Sequence, residues 1–225
     1  MIREHLQELK ATLKPEVKLV AVSKFHPVEA LQEAYDAGQR VFGESHVQEL
    51  VAKEEVLPKD IEWHFIGHLQ TNKVKYMASF VSLIHAVDSL KLLKEIDKQA
   101  QKCERTIDVL LQIHVAKEET KFGFTPEEVK EMLAEGAWRD CHHVRIVGLM
   151  AMATNTDNEE QIAQEFEEVK QLFDEVKADF FATEPSFSEL SMGMSGDYFI
   201  AQEHGSTMVR VGSLIFGMRN YGNKS

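Results

Sequence analysis

Lys24 stands where an apolar run breaks off. The stretch VKLVAVSKFHP, residues 17–27, is rich in valine until it ends on Ser23 and Lys24, and it reads as a buried strand of a parallel sheet. A residue just past such a strand occupies the place where α/β folds keep their chemistry, outside the carboxyl ends of the strands. Half shielded by apolar neighbours, a lysine amine there loses part of the stabilisation of its charged form, and a neutral amine can attack a carbonyl to form a Schiff base. From this strand alone, a lysine that snorkels to solvent is the plainer reading.

Two later stretches change the balance. Ser191-Met192-Gly193-Met194-Ser195-Gly196-Asp197 is small and hydroxyl-rich, and Arg210-Val211-Gly212-Ser213 joins a permanent charge to a glycine that permits close backbone approach. Each follows an expected strand, and loops after the last two strands of a barrel often hold phosphate with the amino end of a short helix. Taken singly, the first reads as a helix cap and Arg210 as a surface ion-pair partner. Together with Lys24 at one barrel mouth, they describe a pyridoxal-phosphate site or a Schiff-base sugar-phosphate aldolase.

The elements that must position these residues alternate along the chain. Ile2, Leu6, Leu9 and Leu13 stripe a first helix ended by Pro15. Strands are expected at residues 17–22, 41–44, 61–67, 81–87, 107–115, 144–150, 187–192 and 207–211. Between them lie helices after Pro27, over 47–56, from near Thr71, after a cap at Asp88 or Ser89, from the Thr125-Pro126-Glu127-Glu128 cap towards Gly136, and along Ile162, Phe166, Val169, Phe173 and Val176. Repeated strand and helix units in 225 residues, with no composition shift, point to one domain, residues 1–225, folded as an α/β (β/α)8 TIM barrel. A doubly wound open sheet is the alternative, weakened because no GxGxxG follows the first strand.

Composition narrows the partners. A formal charge of -12 with no Lys/Arg-rich run argues against nucleic acid. No apolar stretch approaches the roughly 18 residues of a membrane span, and MIREHLQELK is too charged for a signal-peptide core. Cys103 and Cys141 suit a reducing compartment, so a cytoplasmic location is expected. No metal site is expected: there is no HExxH, and the adjacent His142 and His143 point apart. Charged helix segments such as KEEV and EEVKQLFDEVK read as solvated outer faces, while Met150, Met152, Met192 and Met194 fall near two strand ends as a possible apolar wall for a flat cofactor.

The chain also resembles a known family. AVSK (21–24), FGE (42–44), HFIGHLQTNK (64–73), GLMAM (148–152) and the stretch 190–217 are similar to the pyridoxal-phosphate homeostasis proteins, which share the barrel of the amino-terminal domain of alanine racemase. The resemblance implies that Lys24 carries pyridoxal 5'-phosphate as an internal aldimine. It implies that Ser195 holds the phosphate with the backbone of Gly212 and Ser213, that Arg210 faces the pyridine nitrogen, and that Met152 stands where the racemases place a ring-packing histidine. It further implies a role in intracellular vitamin B6 balance without catalytic residues or significant turnover, with pyridoxal-phosphate-dependent apoenzymes as recipients. An enzyme acting on amino acids, racemase-like, is the alternative. A monomer is compatible with the sequence, which does not set the oligomeric state. Ser45 and His46 depart from the family pattern after Gly43-Glu44, as does His114 in HVAKEETKFGF around Lys121. His64, Tyr198 and Tyr221 are candidates for a second acid or base. Residues 218–225 are too few for the carboxyl-terminal domain from which racemases take theirs, so a second base is not expected.

Overall fold

The computed structural model describes residues 1–119 and 122–219. Its strands are β1 (Lys18–Val22), β2 (Val41–Glu44), β3 (Glu62–Phe65), β4 (Leu83–Val87), β5 (Ile107–Ile113), β6 (Val144–Ala151), β7 (Glu189–Ser191) and β8 (Met208–Val211). Each is parallel to the next, and β8 returns to β1, so the sheet closes on itself. The (β/α)8 barrel expected from the alternation is therefore the fold, and the open sheet is excluded.

Parallel neighbours need crossover connections, which run outside the barrel, as do the α-helices, of which the first precedes β1 and the last follows β8. They are α1 (Ile2–Ala11), α2 (Val28–Asp36), α3 (Val47–Val56), α4 (Leu90–Lys102), α5 (Pro126–Glu135), α6 (Glu159–Phe180), α7 (Tyr198–Glu203) and α8 (Ser213–Phe216). Their local causes are readable: Ser89 accepts the N–H of Leu92, and Thr125 forms a reciprocal capping box with Glu128 around Pro126. On α6, Ile162, Phe166, Val169, Phe173 and Val176 are all buried, each side chain contributing roughly 1.5–3 kcal/mol through removal from water.

Strand alternation sorts the core in two. Leu19, Ala21, Phe42 and Trp63 belong to the large cluster between sheet and helices, while Val20, Leu83, Leu110, Val147, Met150 and Met208 fill the barrel interior. Gly148 lets β6 reach β7, since a Cβ there would lie 1.7 Å from the carbonyl oxygen of Glu189.

Some expectations were too long or too regular. The seventh strand shrinks to Glu189–Ser191, because Phe187 turns into the helix layer and stacks on Phe181 and Phe173 at 4.4 and 5.0 Å. The helix near Thr71 is a 3-10 helix, Thr71–Tyr76, and a second one, Ala137–Asp140, was not anticipated. Buried Val74 and Met77, three residues apart, suit a three-residue turn. The KEEV segment is not wholly solvated: Lys53 is 5% exposed.

Candidate functional site

Parallel closure carries the candidate residues to one end of the barrel. Lys24 follows β1, Met152 follows β6, Ser195 lies in the loop after β7, Arg210 is on β8, and Gly212 and Ser213 open α8. All six belong to the carboxyl-end rim, the mouth. Met152 is half-buried and packs on the interior apolar cluster, so the expected apolar wall is partly present.

Lys24 rides on a strained, tightly held turn. Phe25, the next residue, has φ of 66°, a left-handed conformation that an aromatic residue adopts at a cost of order 1–3 kcal/mol. What holds it there comes from β2 and α3. Glu44 Oε1 accepts from Ser23 Oγ and from Lys53 Nζ, both at 2.7 Å. Lys53 also donates to the Ser23 carbonyl and to Glu49 Oε1, each at 2.8 Å. Glu49 Oε1 in turn accepts the Phe25 N–H at 2.6 Å. One buried ammonium thus ties together the residues before and after Lys24. Burial, offset in part by Lys53, pushes the Glu44 carboxyl up to about 7, and its Oε2 is buried without a hydrogen-bond partner among the described residues. Lys24 itself is half-buried. Burial first, then the nearby Arg219 guanidinium, lowers its pKa, while Glu44 and Glu49 act the other way. A lysine held below its ordinary range has more neutral amine at pH 7 and reacts more readily with an aldehyde.

Across the mouth, Arg210 is 4% exposed. Its Nη1 donates to Ser191 Oγ and its Nη2 to the carbonyl oxygen of Ala151 at 3.0 Å. Among the described residues it has no carboxylate ion-pair partner, and burial lowers its pKa to about 10, which still leaves it charged at neutral pH. A buried cation satisfied only by neutral acceptors is costly unless a further acceptor completes its shell.

The loops after β7 and β8 meet each other. The Gly212 N–H donates to Ser195 Oγ at 3.3 Å, and a Cβ on Gly212 would lie 2.9 Å from the carbonyl oxygen of Val22. Only glycine lets the β8 loop lie this close to β1. The backbone N–H groups of Ser195, Gly196, Ser213 and Leu214 make no hydrogen bond among the described residues. Clustered free donors of this kind fit an anion such as a phosphate monoester. An amine, a cluster of free donors and a guanidinium with no carboxylate ion-pair partner among the described residues could take an aldehyde, a phosphate and a ring nitrogen.

Other candidates are placed elsewhere. Tyr198 turns its hydroxyl to Thr12 Oγ1 at 3.0 Å, towards α1. His64 lies inside the barrel, bonded to His85. Tyr221 and Lys121 lie outside the described residues. His46 packs against Phe25, ring centroids 5.2 Å apart, so the departure at this position touches the lysine turn. Ser45 and His46 line a recess of about 350 Å³ with His68 and Lys73. His114 follows β5, its N–H donating to the Phe124 carbonyl at 2.8 Å. Sequence reasoning missed Glu49, Lys53 and His85, and it quoted Glu44 and Ser191 within longer stretches without giving either a role of its own. The available signal was Glu44 ending an apolar strand and Ser191 closing one, since polar residues at such positions are buried and must be paired.

Comparison with known proteins followed the same lines. The family model described as "Alanine racemase, N-terminal domain" matches residues 1–220. A protein from Aquifex aeolicus named "Pyridoxal phosphate homeostasis protein" is 42% identical over 205 residues, covering 91% of this chain and 88% of its own. One of the same name from Schizosaccharomyces pombe is 39% identical over 206 residues, covering 90% and 84%. The structure of PipY from Synechococcus elongatus with pyridoxal phosphate bound matches with a TM-score of 0.87 at 35% identity, covering 96% of this chain and 100% of that one.

Proposed function

The chain belongs to the alanine racemase N-terminal domain family and, within it, to the pyridoxal phosphate homeostasis proteins, and on that premise we propose how its own residues hold the cofactor and to what end. It binds pyridoxal 5'-phosphate and serves intracellular vitamin B6 balance. Lys24 is the point of covalent attachment. Ser195 Oγ, with the backbone of Gly212 and Ser213, holds the phosphate, Arg210 faces the pyridine nitrogen, and Met152 packs on the ring. When bound, the cofactor supplies an aldehyde for reversible Schiff-base exchange and an aromatic ring able to accept electrons.

The observation that carries this reading is Arg210: buried, charged and without a carboxylate ion-pair partner among the described residues. A guanidinium beside the ring nitrogen disfavours its protonation, whereas a carboxylate would favour it and make the ring a stronger electron sink. The chain's residues thus favour holding the cofactor over driving carbanion chemistry, and the role is supply rather than turnover. The whole chain acts as one cofactor-binding domain, compatible with a monomer, in the cytoplasm, with cofactor-dependent apoenzymes as recipients. Among the described residues no helix is long and apolar enough to cross a membrane.

Incubation of the holoprotein with each D- and L-amino acid in deuterated water tests the reading. It expects no multiple-turnover exchange at the α-carbon, together with cofactor transfer to an added apoenzyme. Sustained exchange that disappears in Lys24→Ala would promote the amino-acid enzyme instead.

A further inference from the structure

A column of buried polar groups crosses the barrel behind the cofactor arginine. Arg210 Nη1 contacts Ser191 Oγ. Ser191 Oγ lies 2.9 Å from His85 Nδ1, and His85 Nε2 lies 2.9 Å from His64 Nδ1. The four side chains come from β8, β7, β4 and β3 and cross an interior that also holds Val20, Leu83, Leu110, Val147, Met150 and Met208. His64 ends the column at a cavity of about 310 Å³ on the floor, the amino-end rim, lined also by Lys18, Ser82 and Glu189.

The chemistry of the donors gives this column a direction. A guanidinium can only donate, so Ser191 Oγ accepts from Arg210 and its single proton is free for the next neighbour. Among the described residues Ser191 Oγ has no other acceptor than His85 Nδ1, so its proton is satisfied only if that nitrogen is bare. Both histidines are neutral: burial lowers His64 to about 3 and His85 well below its ordinary value, with Lys18 adding to both and His64 and Arg210 to the second. Neutral His85 therefore carries its proton on Nε2 and donates it to His64 Nδ1, and His64 carries its own on Nε2, the ring nitrogen without a protein partner among the described residues. Every bond points from the mouth to the floor.

We infer that His85 and His64 are positioning residues for Arg210. By taking the Ser191 proton away from the guanidinium, they ensure that the serine presents a lone pair to Nη1. With the Ala151 carbonyl on Nη2, that fixes one guanidinium orientation and leaves its remaining N–H groups for the ring-nitrogen site. A column of apolar residues would fill the same space but would leave the buried cation free to choose among orientations. The role of the column deepens the reading of Arg210 given above and rests on it.

Two-bond proton–nitrogen spectra of the apoprotein labelled with ¹⁵N-histidine, recorded between about pH 5.5 and 8, report the tautomers directly. Both rings should be Nε2–H and should not titrate. In His85→Leu, retention of pyridoxal phosphate and of unphosphorylated pyridoxal should fall by a similar factor, about tenfold, because the lost orientation acts at the ring. His85→Gln, which can accept from Ser191 and donate to His64, should recover most of it. Ser191→Ala serves as the second variant if His85→Leu does not fold, with the same expected loss. An Nδ1–H tautomer at His85, or unchanged retention of pyridoxal in the folded variants, overturns the inference. Failure of the wild-type protein to take up any pyridoxal phosphate would instead overturn the cofactor assignment, and the apoprotein tautomers would still decide the direction of the column.

Discussion

The mouth and the floor of the barrel use the same charged residue types in opposite ways. At the floor, Arg145 is closed into a two-pronged bridge with Asp108, at 2.8 and 3.0 Å, and Lys18 lies 3.9 Å from Glu189, with solvent reaching these pairs. At the mouth, Arg210 and Lys24 have no carboxylate ion-pair partner among the described residues, and Glu44 keeps one oxygen unpaired. A hollow opens at the floor, so a cavity alone does not single out the end proposed to hold the cofactor. Open valences do. Charges closed on each other stabilise little and bind little, whereas buried charges left incomplete are tolerated where a ligand completes them.

The sharpest way to break this contrast is to remove a charge at each end. Lys53→Met leaves Glu44 buried beside Glu49 and frees the Ser23 carbonyl. It should cost about 3 kcal/mol in urea unfolding at pH 8 and slow the reaction of Lys24 with pyridoxal phosphate. A loss below about 1 kcal/mol would mean that the buried clamp is no more important than a surface pair.

Glu44 offers a pH test of the same contrast. Its folded carboxyl is raised from 4.5 to about 7, so its contribution to stability is fully present below about 4.5 and is lost as pH rises through 7. The stability difference between wild type and Glu44→Gln should therefore move against wild type by about 3 kcal/mol from pH 4.5 to 8. His64 and His85 act in the opposite sense, losing their contribution as pH falls below their ordinary range, but they are common to both proteins and cancel in the difference. A flat difference across this window would show that Glu44 is not held near neutrality.

Ser195→Ala tests the donor cluster and should weaken retention of pyridoxal phosphate about tenfold while leaving unphosphorylated pyridoxal nearly unchanged. Equal weakening of both would move Ser195 away from the phosphate. The smallest effect belongs to the floor. Arg145→Met opens a partly solvated pair and should change stability by no more than about 1 kcal/mol, with cofactor retention unaltered. A large loss of retention from this variant would dissolve the distinction between the two ends.

How much of this was legible beforehand differs with the kind of residue. The barrel was readable because its strands carry local apolar signals and its helices carry local caps, as at Thr125 and Gly136, whose φ of 81° ends α5. The mouth residues were readable because Lys24, Ser195 and Arg210 lie next to strand ends, and the parallel order does the rest. Lys53 was misread as solvated because its partners, Glu44 and Ser23, lie 9 and 30 residues away along the chain and meet it only on folding. The Ser191–His85–His64 column was missed for the same reason: it is assembled across the barrel, between residues 21 and 106 apart. Phe187 and the 3-10 helix at Thr71–Tyr76 show the remaining limit, since tertiary packing rather than local pattern decides where a short strand stops or a turn tightens.

The central claim is that the mouth holds the cofactor through Lys24, and borohydride reduction of the yellow holoprotein followed by peptide mapping tests it most directly. The reduced cofactor's mass is expected on the peptide containing Lys24 alone, and a Lys24→Ala protein should unfold like wild type but be colourless and unlabelled. A label on Lys73, Lys53 or Lys121, or a Lys24→Ala protein that remains yellow and is fixed by borohydride, would contradict it.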